Sequence, residues 1–433
     1  MKIDRTVNEI KAVPPDMKTI STANNSPQKW TLLMAVFMTW SFVMICRPQD
    51  YLEFLGLLRP GLILGAAAGC LWFFNSNSEE KVNGTDIQMK LYGCLILVMM
   101  ISVPFSYYPR LSLKGLIGYC SVILFVFLFY RLINSPAKIR RMLFCYSIGI
   151  TAYGLAILTK GDLMEERIYF GTMFDPNDIA FYMISFISFN LLFMSSDNSA
   201  LVRLISLVSI LLGLIIILKT GSRGGLIALM VMLFFLLFKR NGHFKISILY
   251  KGLLVLLAGG ALLLADPSMA RYRTIMDYKD DYNATDETGR LAIWKRGMKI
   301  MADHPVTGVG FDSFPEGIGR DREASGLDSA KWQAAHNSLV QIGAETGIFG
   351  FILYLALSIN AYRIFTGVGR EAATTWLAKL GYLSQAGFVG HFISAMFLSQ
   401  AYSVYWAFYI TLSAVLSRMR VKPDNIQGSS SWR

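Results

Sequence analysis

The segment LVRLISLVSILLGLIIILKTGSRGG, residues 201–225, decides the fold. From Leu204 to Leu218 it holds no charged side chain. With the residues just before it, the run approaches the roughly 20 apolar positions that an α-helix needs to cross a bilayer. It stops at Lys219 and a glycine-rich turn, and a second apolar run begins at once. The first run reads as a membrane span and the turn as a short loop between spans.

The rest of the chain repeats this pattern. Its 433 residues are 54% hydrophobic and only 16% charged, with a mean hydropathy of +0.45. A soluble globular chain carries roughly 25% charge. Apolar runs fall near 30–46, 60–74, 91–104, 112–133, 140–159, 177–194, 201–218, 222–238, 246–265, 338–362, 375–398 and 402–417. That makes about twelve spans, some needing neighbouring residues to complete a crossing. The expected fold is all-α, a polytopic transmembrane helix bundle. A disordered, cytoplasmic tail occupies 1–29, with Pro14, Pro15 and a polar run at 21–28. Nine spans follow within 30–265, then a large, partly helical loop at 266–336, three spans within 337–418 and a cytoplasmic tail at 419–433. No apolar region begins early enough for a cleaved signal peptide, so the first span is expected to be retained.

The formal net charge is +12. The basic residues sit between apolar runs rather than in a soluble basic domain, which excludes nucleic acid and favours anionic lipid headgroups or an anionic substrate. With an even number of spans both termini share a side. That side collects Lys29, Lys138, Arg140, Arg141, Arg203, Lys239, Arg240, Lys245, Arg363, Arg370, Arg418, Arg420 and Lys422, so it is expected to be cytoplasmic and the 266–336 loop external. Arg47, Arg59, Arg110, Lys160, Arg167, Lys219 and Arg223 fall on the other side, some as snorkelling residues at helix ends. The five cysteines, Cys46, Cys70, Cys94, Cys120 and Cys145, lie in or beside apolar runs without metal-ligand spacing and read as small buried hydrophobes.

Four constellations can carry chemistry. In Lys219-Thr-Gly-Ser-Arg-Gly-Gly225, Ser222 can cap the next helix while Arg223 presents a planar cation beside its positive end, a seat for phosphate; a turn with a snorkelling arginine explains the same residues. In the stretch 167–178, Pro176 breaks the chain, Asn177 or Asp178 can cap the next span, and Arg167 can reach the same external cavity. In the loop, Leu291, Trp294, Met298 and Met301 recur at helical spacing as an apolar, membrane-surface stripe. Lys295, Arg296 and Lys299 take the wet face, and Arg290 lies at the border of the stripe, where it needs either a partner such as Asp286 or Glu287 or a bound anion. The run His304-Pro-Val-Thr-Gly-Val-Gly310 reads as a helix stop and tight turn, His304 being structural. Finally His336 opens the tenth span at the water boundary, suited to proton transfer or to a structural role. Gly343 and Gly347 there have the spacing that lets another helix pack closely. Glu345 is on the opposite side of that helix from His336. No nucleotide-binding loop, CxxC pair, HExxH or GxSxG motif occurs, so no metal or nucleotide cofactor is expected.

Taken together, Ser222-Arg223-Gly224, Gly289-Arg290 with Trp294, His304-Pro305 with Gly308-Val309-Gly310, His336-Asn337-Ser338 and Glu345-Thr-Gly347 resemble the O-antigen ligase and polymerase family, most specifically over about residues 167–350. The resemblance implies a multi-pass glycosyltransferase of the bacterial inner membrane that moves a glycan from undecaprenyl diphosphate to an acceptor glycan or glycolipid at the periplasmic face, without nucleotide sugar, metal or other cofactor. It implies that Arg223 and Arg290 bind the diphosphate and that His336 is the catalytic base; Arg167 falls where a further basic residue occurs. Asp175, Asp178, Asp277, Asp280 and Asp281 can bind sugar hydroxyls. Ligase and polymerase share these motifs. An alternative from another class is a secondary transporter of a small anion. Transporters, however, place polar residues and broken helices near the bilayer midplane, whereas here the charges sit at the outer rim.

Overall fold

The computed structural model describes residues 31–75, 86–164, 167–171, 175–195, 197–238, 286, 288–327, 332–372 and 374–420. The expected span at 246–265, together with Asp277, Asp280, Asp281 and Glu287, lies outside these. In chain order the helices are α1 (Leu32–Cys46), α2 (Glu53–Leu57), α3 (Pro60–Asn75), α4 (Ile87–Ser102), α5 (Pro109–Leu132), α6 (Pro136–Lys160), α7 (Pro176–Phe193), α8 (Ala200–Lys219), α9 (Arg223–Phe238), α10 (Arg290–Asp303), α11 (Phe314–Ala324), α12 (Ser338–Glu371), α13 (Thr375–Ala395) and α14 (Val404–Met419). Every expected span within the described residues is a helix. Between α6 and α7 there is a two-stranded antiparallel ribbon, β1 (Asp162–Met164) paired with β2 (Arg167–Tyr169), which an all-α reading did not foresee.

Among the described residues five helical segments are long and apolar enough to cross a membrane: Ile87–Phe105, Pro109–Leu132, Pro136–Lys160, Ala200–Lys219 and Ser338–Glu371. Three shorter apolar helices accompany them, Leu32–Cys46, Pro60–Phe74 and Arg223–Phe238. α7 and α14 are apolar on nearly every side and buried along most of their length, as helices at the centre of a bundle must be. Their aromatic side chains lock them together: Phe189 stacks on Tyr409 and Phe186 packs on Tyr405 and Phe408. α13 fills the remaining side, against α7, α9 and α12. Of the cysteines only Cys46 is buried; the other four lie on exposed helix faces, so the expectation of small buried hydrophobes holds for one residue.

Arginines are anchored at both ends of the bundle. At one end Arg418 donates to the Tyr130 carbonyl at 2.6 Å and Arg140 to Asn198 at 2.6 Å. At the other end Arg47 forms a two-pronged ion pair with Asp50 at 2.7 and 3.1 Å, and Tyr153 donates to the same carboxylate at 3.1 Å. Arg47 is thus a paired, partly buried residue at a left-handed helix end (φ +50°) rather than a snorkelling one.

α12 shows how the loop is tied to this second end. As one straight rod its 34 residues would run ~51 Å, well beyond a ~30 Å hydrocarbon core. It breaks at Gly347, where φ is +69° and ψ −167°. A break frees backbone groups that must find partners. The turn after α10 supplies them: Val309 and Gly310 donate to the carbonyls of Ala344 and Glu345 at 2.9 and 3.0 Å, and Ile348 donates to the Pro305 carbonyl at 2.8 Å. Gly308 also has positive φ, +61°. A Cβ there would overlap the Glu345 backbone, and one on Gly347 would overlap the Pro305 carbonyl. Gly343, expected with Gly347 to form a helix-packing seam, does admit a neighbour: a Cβ on it would stand 2.6 Å from the Met301 sulfur of α10. Gly347 serves the break instead. Glu345, wholly buried, accepts from the Phe314 amide at 3.0 Å and from the Tyr402 hydroxyl, fixing α11 over α12.

Candidate functional site

The stripe Leu291, Trp294, Met298 and Met301, expected at the membrane surface, leaves Leu291 and Met298 exposed, and the side of α10 packed on the protein is Ile293, Gly297 and Ile300. Packing against α12 and Phe314 selects that face, which spacing alone could not. Of the three cations assigned to water, Arg296 is ion-paired to Asp321 at 2.7 Å, and Lys299 bonds Asp321 and Asp303 at 2.8 and 3.0 Å. Arg290 occupies the first position of α10 after the Gly289 cap.

Two contacts aim this helix start at His336. Trp294, one turn after Arg290, donates its indole N–H to the Ala335 carbonyl at 3.0 Å, and Gln333 donates to the Thr288 carbonyl at 2.9 Å. Residues 333–335 are thereby held beside the head of α10. His336 follows with φ +46°. A left-handed conformation in a residue other than glycine persists only where its surroundings impose it. Here the amide of His336 donates to the Ser399 hydroxyl at 2.9 Å, and Asn337 caps α12 by accepting from Leu339 and Val340 at 2.9 and 3.2 Å.

The imidazole of His336 is half-buried. Burial first, and then the positive charge of Arg290, hold it below its ordinary pKa, while Asp175 opposes them. Arg290, His336 and Asp175 therefore feel one another's fields. Asp175 links onward: its carboxylate caps α7 by accepting from the Asn177 amide at 2.8 Å and lies 3.8 Å from the Arg167 guanidinium. The cap of α7 is thus Asp175, not Asn177 or Asp178. Asn177 accepts from Arg167 at 3.2 Å, and Arg167 also donates to the Thr220 carbonyl at 2.8 Å, inside the 219–225 turn. Within that turn Ser222 caps α9 as expected, accepting from Gly225 at 3.1 Å, and Arg223 opens the helix.

A second route joins the same groups. Phe397 packs on Gly224, where a Cβ would stand 2.6 Å from its ring. Two residues on, Ser399 holds His336. Ser338 donates to the Leu398 carbonyl at 2.9 Å and accepts from the Gln400 amide at 3.0 Å; the Gln400 side chain donates to Asp178 at 2.8 Å. The structure thus brings the head of α10, with Arg290, near His336, links Arg167 to Asp175, and joins the Arg223 turn to this end through Thr220 and Phe397. The segment 397–401 is the hub of this end, yet its Ser399 and Gln400 belong to no motif. Their only trace in the sequence is a polar break between two apolar runs. Arg47 and Asp50 were likewise missed; an Arg and an Asp three residues apart at a span end were the available sign. Among the described residues no group of three or more His, Cys, Asp or Glu is arranged to hold a metal ion.

Arginines at the starts of two helices and an imidazole held below its ordinary pKa are groups of the kind that hold an anion and accept a proton. Residues 207–355 match the model of the O-antigen ligase family. Over this stretch the chain resembles that family. Arg223, Arg290 and His336 all fall inside the matched residues and Arg167 outside them. A Rickettsia conorii protein provisionally named a polysaccharide ligase is 27% identical over 188 residues, 42% of this chain and 44% of that protein. One of the same name from Rickettsia felis is 26% identical over 256 residues, 54% of this chain and 60% of its own. An uncharacterized Haemophilus influenzae protein is 22% identical over 294 residues, 64% and 73% of the two chains. The match therefore spans about half the length of the Rickettsia relatives.

Proposed function

We propose that the protein transfers a glycan from undecaprenyl diphosphate to a sugar hydroxyl of an acceptor glycan or glycolipid, as an O-antigen ligase or a polysaccharide polymerase. The reaction takes place at the periplasmic face of the bacterial inner membrane, in a chain of about twelve spans with both termini cytoplasmic. The observation that carries this reading is His336, held in a left-handed conformation within the field of Arg290, inside the residues that match the O-antigen ligase family.

In this scheme neutral His336 takes the proton of the acceptor hydroxyl as its oxygen bonds to the anomeric carbon. The bond from that carbon to the diphosphate oxygen breaks, and the electron pair leaves with undecaprenyl diphosphate. Arg223 and Arg290 bind the diphosphate and stabilise the charge gathering on it. Arg167 orders the 219–225 turn and gives a weaker contact. No metal or nucleotide sugar enters. General-base assistance contributes roughly 10²–10⁴-fold; holding both glycans together supplies proximity as well.

The test is transfer by the purified protein from undecaprenyl-diphosphate glycan to candidate acceptors, with and without chelator. Transfer that survives chelation and is lost in His336→Ala, Arg223→Ala and Arg290→Ala supports the scheme. Full activity in His336→Ala sinks the base role. Substrate flux in liposomes without covalent product replaces the scheme with transport. A glycan gel from a deletion strain separates the two enzymes: single-repeat caps mark a polymerase, and lipid-linked polymer that never reaches the core marks a ligase.

A further inference from the structure

A cleft of about 600 Å³ opens at the same end of the bundle, between the segment before α5 and the helices α10 and α11. Its walls include Tyr107, Tyr108, His304, Arg320, Asp303 and Asp321. Neither the proton transfer nor the diphosphate contacts use it. The volume is that of a small-molecule site, and the walls are assembled rather than accidental. His304 and the Tyr107 hydroxyl share a 2.8 Å hydrogen bond, their rings edge to face at 5.6 Å. The Arg320 guanidinium lies over the rings of Tyr107 and Tyr108, at 4.4 and 5.2 Å. Arg320 lines the cleft, is exposed and, among the described residues, makes no ion pair, so its N–H donors are accessible to a ligand. On the opposite wall the cations are already matched: Lys299 and Arg296 both bind Asp321. Burial alone would raise the Asp321 carboxyl, but these hydrogen bonds outweigh it and hold it low, a fixed carboxylate acceptor.

At the rim stands Trp332, 53% exposed, tilted against Tyr108 at 6.1 Å and lying over Gly319 of α11. Its exposed indole extends the aromatic surface that Tyr107 and Tyr108 give the cleft. From Trp332 the described chain runs without helix to His336. Four residues of extended chain reach at most ~13 Å, so the platform and the candidate base are a few sugar rings apart along one strand of chain.

Aromatic faces for the C–H side of a sugar, fixed carboxylates for its hydroxyls, and an open guanidinium edge for an acidic group are what an oligosaccharide requires. We propose that this cleft, with Trp332 at its rim, is a glycan subsite that holds the sugar chain of one of the two substrates away from the reacting bond. The proposal rests on the glycan-transfer reading and names a site that the reading leaves unassigned. An acidic core oligosaccharide and the repeat-unit glycan share the required chemistry.

The experiment uses the full-length protein in detergent and two labelled probes, both freed of lipid: the host's core oligosaccharide and its repeat-unit oligosaccharide. Binding is followed by equilibrium dialysis. Saturable binding of one probe, weakened roughly tenfold or more in Arg320→Ala and in Trp332→Ala, supports the subsite, and the probe that binds identifies the substrate held. Both side chains are exposed, so neither variant should misfold. Arg140→Ala, at the opposite end of the bundle, must bind the probe like wild type. No binding of either probe at millimolar concentration, or unchanged binding in both variants, overturns the proposal. If transfer itself fails while probe binding depends on Arg320 and Trp332, the subsite stands and the transfer reading falls.

Discussion

The turns at 219–225 and 304–310 look alike in the sequence, each a short glycine-bearing stop after a helix, and the fold uses them in opposite ways. In the first, Ser222 caps α9 and leaves Arg223 at the helix start. In the second, the amides of Val309 and Gly310 are consumed by the carbonyls that the break in α12 exposes. The destination of the backbone donors distinguishes them, not their composition. One turn presents a positive helix end, and the other splices two pieces of a helix.

If that distinction is right, changes around the first turn act on rate and changes at the second act on folding. The largest effect is expected at the group the first turn serves: His336→Ala lowers transfer by about 10²–10⁴-fold with an unchanged melting temperature in detergent. Arg223→Ala comes next, lowering kcat/KM by roughly 10²–10³-fold, again without loss of the fold; a fall in stability equal to that of a core mutant would erase the comparison. Gly308→Ala reverses the pattern. The left-handed strain alone costs about 1–2 kcal/mol, and overlap with the Glu345 backbone adds to it, so thermal melting and expression fall while the remaining folded protein keeps its specific activity. An inactive but fully stable Gly308→Ala would make the second turn part of the site.

The smallest effect is a shift in pH profile. Only neutral His336 accepts a proton, so kcat/KM falls as pH drops through its pKa, which burial and Arg290 hold below the ordinary value of 6.5. The acid limb should therefore lie below 6.5, move up in Arg290→Gln where activity remains measurable, and move down in Asp175→Asn, which keeps the helix cap. No movement in either variant would separate these residues from the titrating base.

The candidate site was legible in proportion to how much of each residue's role is local. Ser222 capping α9 needs only neighbours in sequence, and it was foreseen. The buried side of α10 was not, because the Leu291 and Ile293 faces are both apolar enough and α12 chooses between them. Gly347 was read as packing surface since its spacing from Gly343 fits that role; its positive φ appears only once the 304–310 turn docks against it. Ser399 and Gln400 have no local signature at all. They matter because the end of α13 lies against the start of α12.

Hydropathy by itself determined the class of molecule, a bundle of apolar helices, because each span must satisfy its backbone internally and so declares itself within a single run of sequence. It also marked which loops carry cations. Only the tertiary structure decided which cations meet. The head of α10 lies near His336 because Trp294 ties it to the Ala335 carbonyl, and Arg167 reaches the turn before Arg223 through the Thr220 carbonyl. Those contacts join residues 41 and 53 positions apart. Pairings at such range are set by how helices pack, and no period or motif within one segment encodes them.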